Sequence, residues 1–250
     1  MKIVEQSHEI LSLPNNLLEI IEKAGRTCYK SEKNMNFCTL NKNDNCKIHP
    51  GLVVKICDAS KCPYHSSYKF VQMLRDRGHH AMIEFGDITV KFITNRGVTH
   101  ELVRHRLCSF AQESTRYVRY DGQMEFIRPV WCPKNVVGDY PEWNNAQTYT
   151  YMHRKQKDNR KIMCWLDSCI TDELKYNYLI ENGWRPEQAR EVLPNSLKTE
   201  IVVKGNIREW RHCLQLRTSK KAHPQIQALM LPLLAELKTK IPVVFDDLED

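Results

Sequence analysis

At 250 residues, with 42% hydrophobic and 27% charged residues, the chain has enough length for one or two domains with a real core and the ordinary composition of a globular protein. The net charge of +7 makes the surface basic without being histone-like, which suits phosphate-bearing small ligands and nucleic acid alike. Glu5 and Glu9 interrupt the apolar core that a signal peptide needs, and no apolar run approaches the ~18 residues of a membrane span. These features argue against secretion and membrane spanning, and the expectation is a cytoplasmic protein whose ten cysteines are reduced.

In chain order, residues 15–29 read as a helix with Leu17, Leu18, Ile21 and Ala24 on one face. The segment 31–66 is polar, is broken by Pro50-Gly51 and Pro63, and holds Cys38, Cys46, Cys57 and Cys62. Helical periodicity returns over 67–77 through Phe70, Val71 and Leu74. After Gly86, the alternation of Ile88, Val90 and Phe92 predicts a strand. Asn95-Arg96-Gly97 reads as a turn. Val98 to Leu107 reads as a helix that would place Arg104 and Cys108 on one face. Ser109 to Tyr117 is expected as a loop or helix end, and Glu125 to Pro129 as a short strand. The longest helical stretch covers 141–182 and stops at Asn182-Gly183. Pro186 and Glu187 suit a helix start, Thr199 to Val203 a strand, and 207–216 and 225–240 two amphipathic helices. The expected fold class is α+β: a single domain with an antiparallel-type sheet packed with helices.

The run Arg104 to Tyr117, RHRLCSFAQESTRY, carries the chemistry. Its cations are arginines, interleaved with Ser109, Gln112, Glu113 and Ser114. A solvated helix face would mix lysine and glutamate at i,i+4 instead. The planar guanidinium fork suits phosphate or carboxylate, and hydroxyls add short contacts, so these residues point to an anion pocket. The plainer alternative is an exposed basic turn.

Arg104-His105-Arg106, seven residues, then Ser114 with Arg116-Tyr117 resembles the signature of flavin-dependent thymidylate synthases, the thymidylate synthase-complementing family. Other blocks agree in order: Ala24-Gly25-Arg26-Thr27-Cys28-Tyr29, Gly78-His79 through Glu84, Gln188-Ala189-Arg190 to Leu193-Pro194, Asn206-Ile207-Arg208 and Leu216-Arg217. The similarity covers most of the chain, read as one domain over 1–250 with a cysteine-containing insertion at about 33–66.

The resemblance implies reductive methylation of dUMP to dTMP, with methylenetetrahydrofolate as carbon donor and FAD, reduced by NAD(P)H, as hydride carrier. It also implies a homotetramer with shared active sites. Glu101, Leu102, Val103, Arg104, Gln112, Glu113, Ser114, Thr115, Arg116 and Arg190 would line the nucleotide site, with Arg116 and Arg190 on the 5′-phosphate. Arg217 would face the pyrimidine ring as the catalytic cation, favouring an enolate-like uracil. His79, Ala81, Glu84, Arg104, His105, Arg106, Gln112, Asn206, Ile207, Arg208 and His212 would hold the flavin. No metal is assigned, and the absence of G-x-G-x-x-G excludes a Rossmann flavin site.

Two departures concern the nucleotide site. Ala111 stands where the family often has Asn, and Gln112 where it often has Glu; an amide keeps hydrogen bonds but not charge. In the insertion, Cys38-x7-Cys46-x10-Cys57-x4-Cys62 with His49 and His65 leaves zinc or a reduced loop-borne cluster open. Only Cys57-x4-Cys62 approaches structural zinc spacing. Two rival functions are a cysteine-nucleophile synthase using Cys132 and a nucleic-acid-binding protein using Arg104, Arg106, Arg116, Arg119 and Tyr117.

Overall fold

The structure is a computed structural model that describes residues 1–35, 62–63, 65–120, 122–140 and 160–249. Its strands are β1 Lys2–Val4, β2 Ser7–Ser12, β3 Asp87–Asn95, β4 Ser109–Gln112, β5 Glu125–Ile127, β6 Gly138–Asp139 and β7 Lys198–Asn206. Its helices are α1 Leu17–Thr27, α2 Ser66–Asp76, α3 Arg96–Leu102, α4 Arg160–Glu181, α5 Pro186–Ala189, α6 Ile207–Arg217, α7 Pro224–Lys240 and α8 Pro242–Phe245. A 3-10 turn covers His80–Phe85. One sheet has the order β5-β1-β6 and the other β2-β3-β7-β4. Mixed helix and antiparallel sheet is the architecture expected, with one correction: β1 runs parallel to β5, Ile3 opposite Phe126, and antiparallel only to β6.

Two compact units divide the chain. The first comprises Met1–His8, Lys91–Arg104 and Phe110–Val202. Its core gathers Ile3, Phe126, Tyr140, Leu166, Tyr176 and Leu197. Burying each large apolar side chain contributes about 1.5–3 kcal/mol. Glu173 of α4 is buried there because its carboxylate accepts from the Met124 backbone N–H at 2.6 Å and pairs with the Met1 ammonium at 2.9 Å.

The second unit comprises Glu9–Val90, His105–Ser109 and Val203–Asp250. Here α1 packs on α2 and on the 3-10 turn, and α6 packs on that turn and on α7. Ile21, Leu74, Ile88, Trp210, Leu214, Leu233 and Phe245 are buried. The Trp210 indole N–H donates to the Ile88 carbonyl at 3.0 Å, so the largest side chain of α6 enters the core without an orphaned donor.

Burial alternates along β3 and β7 with a period of two, and the elements expected at 67–77, 199–203, 207–216 and 225–240 form α2, β7, α6 and α7. Three expectations are corrected. Asn95-Arg96-Gly97 is not a turn: the Asn95 side chain accepts from the Val98 N–H at 2.8 Å and caps α3. That helix ends at Leu102 rather than Leu107, so Arg104 and Cys108 share no helical face; Arg104 is exposed and Cys108 buried. Ser109–Gln112 is strand β4 instead of a loop. The helix expected over 141–182 is present as α4 from Arg160; residues 141–159 lie outside the described residues, as do Cys38, Cys46, Cys57 and His49. Among the described residues, no cluster of His, Cys, Asp or Glu could hold a metal, and no helix is long and apolar enough to cross a membrane.

Candidate active site

The second unit holds most of the residues assigned to the flavin. Asn206 closes β7 and caps α6, its side chain accepting from the Glu209 N–H at 2.8 Å. From that start, α6 projects Arg208 and His212 one turn apart and Glu209, Cys213 and Arg217 along another line. Ile207 is buried, its backbone N–H bonded to the Gly86 carbonyl at 2.8 Å. Gly78, at φ 71, lets the chain reverse after α2 and brings the exposed His79 to the head of the 3-10 turn. Ala81 and Glu84 follow, exposed, and Glu84 accepts from Arg208 at 2.5 Å. A cavity of about 490 Å³ opens here, lined by His80, Ile83, Leu107, Arg208, Arg211 and His212 among others.

His105 lies on the segment that follows α3 and is 5% exposed, whereas Arg106 and Leu107 beside it point to solvent. The Arg217 Nε–H donates to His105 Nε2 at 3.0 Å. A guanidinium has no acceptor, so Nε2 must carry the lone pair and the proton sits on Nδ1. Nδ1 then donates to the Glu209 carboxylate at 3.3 Å. Burial holds the His105 imidazole below its ordinary pKa and Arg217 lowers it further, while the Glu209 hydrogen bond and charge oppose both. His212 meets His105 edge to face, with ring centroids 5.9 Å apart. Burial pushes the neighbouring Cys108 thiol up to about 12, with Glu209 adding to the shift, so it is a neutral packing group. Cys213 is pushed up by burial in the same way.

The first unit holds the residues assigned to the nucleotide, together with two that also belong to the flavin set, Arg104 and Gln112. Glu101 and Leu102 end α3; Val103 and Arg104 follow it, exposed. Gln112 ends β4, and its amide N–H donates to Thr99 Oγ1 at 3.0 Å and Thr199 Oγ1 at 3.4 Å. Glu113 accepts from the Tyr120 hydroxyl at 2.8 Å, and Tyr120 meets Tyr176 edge to face. The Ser114 hydroxyl accepts from the Arg116 backbone N–H at 3.3 Å, and Thr115 is buried. The Arg116 guanidinium lies over the exposed Tyr117 ring, 5.4 Å from its centroid. Arg190 caps α5 and stands 3.7 Å from Glu191, a half-exposed pair of little weight. Arg116 and Arg190 carry donors only and cannot bond each other; the contacts of their guanidinium groups are with their own chain neighbours, Tyr117 and Glu191.

Glu209 is absent from the set that the sequence suggested. Asn206-x-x-Glu209 has the spacing of a capping box, which reads as a helix start and nothing more. The structure makes only half of that box, because the carboxylate turns to His105.

The family model described as thymidylate synthase complementing protein matches residues 9–243. The flavin-dependent thymidylate synthase of Corynebacterium efficiens is 34% identical over 183 residues, covering 72% of this chain and 69% of that protein. The flavin-dependent thymidylate synthase of Mycobacterium tuberculosis is 28% identical over 233 residues, covering 92% of this chain and 79% of that protein. Two solved structures share the fold. Thymidylate synthase X from Helicobacter pylori with FAD and dUMP has 19% identity and a TM-score of 0.64, covering 97% of this chain and 98% of that one. A UMP/dUMP methylase from Streptomyces cacaoi bound with 5-Br dUMP has 19% identity and a TM-score of 0.65, covering 98% and 96%.

Proposed function

The chain belongs to the thymidylate synthase complementing protein family, and on that premise we propose that it methylates dUMP at C5 to give dTMP, with methylenetetrahydrofolate as carbon donor. FAD, reduced by NAD(P)H, supplies the hydride when bound.

The observation that carries this proposal is the chemistry of the second unit's cavity. Arg208 offers it a guanidinium and His212 an imidazole, Arg211 lines it while held by Asp247 at 2.6–2.7 Å, Glu209 lines it as well, and Ile83 and Leu107 offer an apolar wall. A flavin dinucleotide needs both, cations for its pyrophosphate and apolar surface for its rings. His79, Ala81, Glu84, Asn206, Arg208 and His212 are the residues proposed to hold it, with Arg104, His105, Arg106, Gln112 and Ile207 completing the set. Glu84 and Arg208 are already paired, so an incoming phosphate would compete with a carboxylate for one guanidinium.

Arg116, Arg190 and Ser114 are proposed to hold the 5′-phosphate of dUMP, and Glu101 to Arg104 with Gln112, Glu113 and Thr115 the rest of the nucleotide. Arg217 is proposed to face the pyrimidine, where a fixed cation makes C5 more nucleophilic by stabilising negative charge on the ring. A cysteine nucleophile is disfavoured: Cys132 is buried, burial pushes its thiol up, and the lowering effect of Arg128 does not reverse that. The protein is proposed to act as a cytoplasmic homotetramer of one-domain chains with shared active sites, the 33–66 insertion being peripheral.

Denaturing the purified protein is expected to release a non-covalently held flavin that chromatography identifies as FAD, and the holoprotein should form dTMP from dUMP, methylenetetrahydrofolate and NAD(P)H. An apoprotein that cannot be reconstituted with FAD and makes no dTMP would defeat the proposal. A colourless protein with salt-dependent DNA affinity would favour nucleic-acid binding instead.

A further inference from the structure

The Glu209–His105–Arg217 chain is built, not incidental. Glu209 and Arg217 are eight residues apart on α6, about 12 Å along the helix axis. A single imidazole spans the gap by bonding both, at 3.3 Å and 3.0 Å. His105 and Glu209 are only 5% and 6% exposed, so solvent does not compete for the bond between them. The order of donors is fixed along the chain: the guanidinium donates to Nε2, and Nδ1–H donates to the carboxylate. Reversing the tautomer would leave two donors face to face at Nε2 and two acceptors face to face at Nδ1.

We propose that Glu209 and His105 are positioning residues that lock the direction of the Arg217 guanidinium, and that protonating His105 releases the lock. The inference rests on the function proposed above only for what Arg217 then does to the pyrimidine. Imidazolium has no acceptor, so protonation breaks the bond from Arg217 and sets two cations against each other. The titratable and charged groups acting on His105 are Glu209, His212 and Arg217, all on α6. Cys108, on its own segment, is a neutral thiol. On the 3-10 turn packed against α6, Glu84 is engaged by Arg208, and His80 lines the cavity. Of these groups only Glu209 favours the imidazolium. It therefore sets the pH at which the lock opens while supplying its far anchor.

The test uses the full-length holoenzyme with dUMP and three variants. In the wild type, turnover should fall on the acid side as His105 protonates. Glu209→Gln retains an acceptor for Nδ1–H but removes the anion, so this acid limb should move to lower pH. His105→Gln offers a carbonyl to Arg217 and an amide to Glu209 without a titratable group, so the acid limb should disappear. His105→Leu, which offers neither, should lose about 100-fold in kcat with KM for dUMP changed by much less. If it fails to fold, the two glutamine variants still decide. A readout independent of turnover is ¹⁵N NMR of the histidine rings, with His105 assigned by its loss in His105→Gln. A proton on Nδ1 and a bare Nε2 are expected at neutral pH. A proton on Nε2, or an acid limb unchanged in both glutamine variants, would overturn the lock. A wild type that makes no dTMP would defeat the proposed function instead, and the NMR tautomer would still decide the hydrogen-bond chain.

Discussion

Replacing Gln112 by glutamate restores the residue that the family often carries, yet it should destabilise this chain. Thr99 already donates its hydroxyl proton to the Arg96 carbonyl at 3.0 Å, so its oxygen has only lone pairs to offer Gln112. The Gln112 amide N–H meets that need at 3.0 Å and also reaches Thr199 at 3.4 Å. Both threonines are fully buried, and water cannot substitute. A carboxylate has no proton to give, so Gln112→Glu sets oxygen lone pairs against a buried acceptor. Losing the bond and leaving the acceptor unpaired costs about 1–3 kcal/mol. For a chain of this size that lowers the melting temperature by roughly 2–12 °C. The penalty has a definite pH dependence. Once protonated, the introduced carboxyl can donate its O–H to Thr99, so folding favours the acid form and the folded pKa of that carboxyl lies above its unfolded value. Stability relative to wild type is then best below the unfolded pKa and is lost as pH rises through the folded pKa. Scanning fluorimetry of both proteins at pH 7.5 and across the acid range would measure this. A variant as stable as wild type at pH 7.5, or a deficit that widens on acidification, would refute the reasoning.

Two further outcomes are expected. Arg190→Lys should weaken dUMP binding by about 10- to 150-fold, the worth of a ~1.5–3 kcal/mol charge-assisted contact, because lysine cannot reproduce the guanidinium fork; unchanged affinity by calorimetry would remove Arg190 from the phosphate site. Gly205→Ala places a Cβ 2.8 Å from the Cys108 sulfur and 3.3 Å from the Trp210 indole nitrogen, so it should lose about 1–3 kcal/mol in urea denaturation. Adding Cys108→Ala to that variant should return part of the loss, and purely additive losses would show that the two sites do not meet.

Local pattern was enough to find α1, α2, α6, α7, β3 and β7, because the helices carry their own periodicity, β3 alternates through Ile88, Val90 and Phe92, and β7 holds a run rich in β-branched residues over 199–203. The motif residues were legible for a different reason. Arginine beside serine in RHR-x7-S is a composition that packing does not ask for, so it advertises chemistry before any fold is known.

What escaped the sequence depends on partners far away in the chain. β1 is three residues long and exists because β5, more than a hundred residues on, pairs with it in parallel. The end of α3 at Leu102 could not be read because Val103 to Leu107 continues to look helical, while the structure turns there to bury His105 and expose Arg104. Gln112 looked like a lost charge until Thr99 and Thr199 showed it to be a required donor. Glu209 looked like half of a helix cap until its carboxylate turned to His105. Periodicity and composition are properties of neighbouring residues and survive in the bare sequence. The direction of a buried proton is not: it is decided by which donor and which acceptor the tertiary fold sets against each other.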